Sequence, residues 1–109
     1  MKLKVTLAIA VIFAVSNGAL ALGPLHQAVE AVFKSAQEPT AKDAVWTQDN
    51  IFKVGVIDNG SERSGYASYV CEVLYDHGFK GKKVWVQIID IVKLTREGKW
   101  ETLGDARCL

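Results

Sequence analysis

The 109-residue chain has only two cysteines, two prolines and one methionine. It also lacks any apolar run long enough to cross a membrane. A spanning helix needs about 20 mostly apolar residues, and the run from Leu7 to Val15 stops after nine. Charge of one sign is missing too. Thirteen Lys plus Arg stand against 12 Asp plus Glu, so the electrostatic footprint of a nucleic-acid-binding domain is absent. There is no Gly-rich phosphate loop, no Gly-x-Ser-x-Gly elbow, no paired-His metal motif and no Cys-x-x-Cys. No catalytic set, cofactor or metal site is expected. Half of the residues are apolar and 23 % are charged, which excludes a disordered chain and fits one globular domain.

Residues Met1 to Ala21 have the three parts of a secretory leader. Lys2 and Lys4 form a positive start, Leu7 to Val15 an apolar centre, and Ala19-Leu20-Ala21 a small-x-small exit after the helix-breaking Ser16-Asn17-Gly18. The expected mature chain is a single small domain over residues 22–109, exported to a bacterial periplasm or secreted. It keeps 88 residues, with 11 basic and 12 acidic side chains. A chain this short buries about 60–65 % of its unfolded surface and gains from a covalent staple. Cys71 and Cys108 both lie in it, and in an exported protein two cysteines are expected to pair.

The first helix is expected from Leu25, with Pro24 in its first turn and apolar residues at Leu25, Ala28, Val29, Val32, Phe33 and Ala36. Glu38-Pro39 closes it, and Thr40 to Asp49 is expected as a polar loop carrying Trp46. Ile51 to Asp58 alternates as a strand and ends at the turn signal Asp58-Asn59-Gly60-Ser61. Ser64 to His77 supports two patterns. As a helix it gathers Tyr66, Tyr69, Val70, Val73 and Leu74 on one stripe, with Gly78 just past its end; as a strand it alternates Ala67, Tyr69, Cys71, Val73 and Tyr75. Val84 to Leu94 is expected as a central strand, Thr95 to Gly98 as a hairpin loop, and Lys99 to Cys108 as the return strand.

The fold expected from this order is α+β: a small mixed sheet of about three strands with two helices, α-β-α-β-β, and one disulfide. If Ser64 to His77 is a strand, the chain is instead one helix with a four-stranded antiparallel meander, similar in outline to cystatin-like folds.

Asp90 interrupts the apolar row Val86, Ile88, Val92 and Leu94. A buried carboxylate there has to be hydrogen-bonded, paired or protonated, either as a rim group binding backbone amides or as a site carboxylate beside Asp58. Asp58 to Glu62 clusters oxygen ligands around Gly60 but lacks the twelve-residue calcium-loop spacing. His77, in the last turn of the proposed helix, suits the helix dipole. Trp46, Tyr75, Phe79, Lys80, Lys82 and Lys83 form the candidate binding surface, with aromatic anchors beside a small basic loop; Trp85 and Trp100 are expected to pack on each other across the hairpin.

The function expected is a disulfide-stapled binding or interaction module with a protein partner or small ligand. The other classes the residues permit are a small hydrolase-type enzyme using Asp58 and Asp90, with His77 as a further candidate, and a structural envelope subunit.

Overall fold

The computed structural model describes residues 22–109. Met1–Ala21, expected as a leader, lies outside the described residues. Helix α1 (Pro24–Phe33) opens with Pro24 at its first position, where a missing backbone N–H costs nothing. Strands β1 (Asp43–Gln48) and β2 (Ile51–Val56) form an antiparallel hairpin around Asp49-Asn50. Helix α2 (Ser64–Leu74) follows, and one wide turn of helix, Tyr75–Phe79, extends it to Gly78, whose φ of 95° ends the helical path. Strand β3 (Trp85–Asp90), a short helix α3 (Ile91–Glu97) and strand β4 (Thr102–Arg107) complete the chain.

The four strands lie in chain order, β1-β2-β3-β4. β2 and β3 run parallel because α2 carries the chain back across the sheet between them. The outer pairs, β1–β2 and β3–β4, are antiparallel. The architecture is therefore α+β with a mixed sheet and one disulfide, with four strands and three helices where three and two were expected.

One sheet face carries the core. Ala44 and Trp46 of β1, Phe52, Val54 and Val56 of β2, and Val86 and Ile88 of β3 meet Val29 and Phe33 of α1 and Ala67, Val70 and Leu74 of α2. Cys71 and Cys108 bridge α2 to the chain just after β4. Gly104 lets β4 come up against the first turn of α2, where a Cβ would stand 2.3 Å from the Arg63 carbonyl carbon.

Two expectations about strands change, α1 stops at Phe33 short of Glu38-Pro39, and one alternative is removed. Residues 43–48 are a strand, not loop, because Ala44 and Trp46 alternate inward with Val45 and Thr47 outward, a pattern a pleated edge strand accommodates. The strand expected to reach Leu94 stops at Asp90, and residues 91–97, including most of the expected hairpin loop, coil into α3. Asp90 causes the change of path. Its carboxylate accepts from the Val92 and Lys93 amides at 3.0 and 3.1 Å, satisfying helix donors that a continuing strand would spend on its neighbour. At the other end Gly98, at φ 70°, takes the left-handed position that stops α3. Finally, Ser64 to Leu74 is helical, which removes the meander alternative.

Candidate functional site

The surface expected around Trp46 is not a surface. Trp46 is 1 % exposed, and its indole N–H donates to the His26 carbonyl at 3.0 Å. Phe79 stacks on it at 5.3 Å between ring centres, and Phe52 lies at 4.6 Å. Both Trp46 and Phe79 are core residues that lock the helix layer to β1 and β2. Tyr75 is half-buried, and its hydroxyl accepts from the Leu109 amide at 2.8 Å. Lys80, Lys82 and Lys83 are exposed in the turn before β3, so the aromatic and basic halves of the expected patch are not on one surface.

Nor does His77 join the two carboxylates. Asp90, 4 % exposed, ends β3, with its Oδ1 committed to the α3 amides. Asp58 lies two residues beyond β2, at the same edge of the sheet, and accepts from the Gly60 amide at 2.9 Å. His77 lies at the opposite edge, in the turn ahead of β3, with Nδ1 2.9 Å from the Val73 carbonyl. An acid/base pair needs its members within hydrogen-bond reach or one water of a common substrate. Six-residue strands, about 20 Å in length, separate His77 from the two carboxylates. Among the described residues no group of three or more His, Cys, Asp or Glu is placed to hold a metal ion.

The group pushed furthest from its ordinary pKa is the Tyr66 hydroxyl, raised by burial and then by the Glu38 carboxylate and Tyr69. Tyr69 is raised as well, because its hydroxyl donates to Glu38 at 2.6 Å. Tyr66 Oη and Arg63 Nε are buried without a hydrogen-bond partner among the described residues.

The sheet face opposite α1 and α2 is covered only in part, and Gln87 at its centre is 8 % exposed. α3 folds over one end of it, with Ile91 against Gly55, and buries Ile89. Beyond α3 the strands present two rows. Ile51, Trp85 and Arg107 are register partners across β2, β3 and β4; Val45, Lys53, Gln87 and Asp105 are partners across all four strands. Each row holds a cation on an indole. The Arg107 guanidinium lies 4.0 Å from the Trp85 ring centre, and the Lys53 ammonium 4.7 Å from that of Trp100. Trp100 is 47 % exposed. The Trp85 N–H donates to Asp105 at 2.8 Å and fixes the ring. A cleft of about 320 Å³ opens at the far end, lined by Asn50, Lys83, Trp85, Arg107 and Leu109 among others.

Trp85 and Trp100 therefore do not pack on each other; each meets a cation from another strand. The sequence signal was three tryptophans in a short chain, but which of them is exposed depends on strand pairings between distant segments. Lys83 is the one member of the expected basic loop that borders this face. No family model, curated protein or solved structure matches the chain.

Proposed function

We propose that this protein is a small exported, disulfide-stapled binding module that engages a protein partner through the open face of its sheet. One observation carries the reading: Trp85, Trp100, Arg107 and Lys53 gather on the sheet face that α1 and α2 do not cover, with Trp100 47 % exposed. Tryptophan and arginine are the residues most enriched at the energetic centres of protein interfaces. Here they are held in place by the sheet, which lowers the entropy lost on binding. Export is supported by the leader pattern of Met1–Ala21 and is compatible with the Cys71–Cys108 bridge. His77 lies at the other end of the strands from Asp58 and Asp90, so the three do not form one acid/base set.

The test is expression of the full chain from a bacterial host, followed by recovery of the tagged oxidised protein with whatever co-purifies from envelope and medium fractions. The expected result is an exported product beginning at Leu22 and a partner retained near one-to-one, lost when Trp100→Ala is introduced. Retention inside the cell, or a partner held equally well by Trp100→Ala and Trp85→Ala, overturns the reading.

A further inference from the structure

We infer that the open face recognises an extended acidic segment of its partner, with carboxylates four residues apart reading Lys53 and Arg107. The inference rests on the binding-module reading and adds the chemistry of the ligand.

The charges on this face are unevenly satisfied. Two of its carboxylates meet cations, Asp43 with Lys34 and Glu101 with Lys93, and a third, Asp105, accepts from the neutral Trp85 indole and keeps its charge, so two unpaired cations stand against one carboxylate. Lys53 and Arg107 have no carboxylate partner among the described residues; each has only its indole ring. An indole beneath a cation orients it without neutralising it. The Arg107 guanidinium is thus seated on the ring with no carboxylate among the described residues, and an arginine fork in that state can bind a carboxylate at two points. The ligand complementary to such a face is anionic.

Geometry sets the spacing. Lys53 and Arg107 are two strands apart and one row apart, since Arg107 pairs with Trp85, Trp85 with Ile51, and Lys53 follows Ile51 by two. With strands about 4.8 Å apart and about 3.3 Å per residue, their backbone positions are about 12 Å apart on the sheet. In an extended chain, residues i and i+4 point to the same side and are about 13 Å apart. Trp85, on the strand between those that carry the two cations, supplies apolar surface for the side chain between the two acids.

The probes are a synthetic peptide with aspartates four apart around a central leucine, the same peptide with lysines for aspartates, and vesicles rich in an anionic phospholipid. The oxidised protein, produced from the full chain, is titrated with each by fluorescence of its tryptophans and by calorimetry. Expected are saturable binding of the acidic peptide, weakening as salt is raised, and at least tenfold loss in Lys53→Gln/Arg107→Gln. Arg107→Lys, which keeps the charge without the fork, is expected to fall between, and Lys80→Gln/Lys82→Gln to bind as the parent does. Circular dichroism verifies that each variant is folded. No binding of the acidic peptide, equal binding of the basic one, or vesicle binding that depends on Lys53 and Arg107 to the same extent overturns the inference. If the partner is captured in a Trp100-dependent way while the acidic peptide fails, only the acidic-segment inference falls; if neither is seen, both fall.

Discussion

Gly104 and Arg63 meet backbone to backbone: a Cβ on Gly104 would stand 2.3 Å from the Arg63 carbonyl carbon and 2.3 Å from the Ser64 nitrogen. No side-chain rotation relieves such a contact, because both sides are main chain. Arg63 also donates its amide to the Leu103 carbonyl at 3.1 Å, and the Ser64 hydroxyl accepts from the Asp105 amide at 3.3 Å. The first turn of α2 and the middle of β4 are thereby one unit. Gly104→Ala is expected to push them apart and cost about 2–3 kcal/mol, the range for overpacking a tight contact. Urea denaturation measures it; a loss under 0.5 kcal/mol (on the order of a neutral surface change) shows that the contact is looser.

Asp90 is expected to behave as a capping residue. Asp90→Ala removes the acceptor for the Val92 and Lys93 amides and should cost about 1–2 kcal/mol. Asp90→Asn keeps an acceptor of similar capping strength and should cost less than half as much. Thermal melts of the two variants side by side decide it, since a role in ionisation alone would make them equally harmful.

Tyr66 carries a buried hydroxyl with no hydrogen-bond partner among the described residues. Tyr66→Phe deletes that group and keeps the ring, so it is expected to raise stability by about 1 kcal/mol. The same residue sets an alkaline dependence. Burial and Glu38 raise its folded-state pKa, whereas in the unfolded chain it ionises near pH 10. Its contribution is whole below about pH 10 and is lost as pH rises from there towards the folded-state value, because only the unfolded chain releases the proton. Denaturation midpoints between pH 8 and 11 should fall less steeply in Tyr66→Phe than in the parent. Parallel slopes would remove Tyr66 as the cause.

The Cys71–Cys108 bridge joins residues 37 apart in sequence. Closing a loop of that size stabilises by roughly 3–4 kcal/mol in the chain-entropy account. Cys71→Ser/Cys108→Ser is expected to lose about that much, with α2 retained because its apolar stripe still faces the sheet. Denaturation with and without reductant tests the parent independently.

Strong periodicity made α1, α2 and β2 legible in the sequence. In α2 the stripe read as Tyr66, Tyr69, Val70, Val73 and Leu74 holds two buried residues, Val70 and Leu74, which Ala67 joins, while Tyr69 is exposed. What escaped is local and short. The seven residues of α3 begin Ile91-Val92, whose β-branched side chains continue the strand pattern of β3, so only the capping chemistry of Asp90 and Gly98 marks the switch. β1 escaped because polar residues flank it, and with it went Trp46, whose burial follows from β1 pairing with β2. The candidate face was the least legible part. Lys53 with Trp100 and Arg107 with Trp85 are pairs made by sheet register, and no spacing along the chain encodes them.

The covalent bridge closes a loop that contains β3, α3 and β4 but leaves α1, β1 and β2 outside it. If the two ends of the folded part are pulled, load passes from Cys108 across the sulfurs to Cys71 and on through residues 22–71. The segment between the cysteines carries none of it. Under tension α1, β1 and β2 therefore unravel, while the indole–guanidinium pair between β3 and β4 stays inside the unloaded loop.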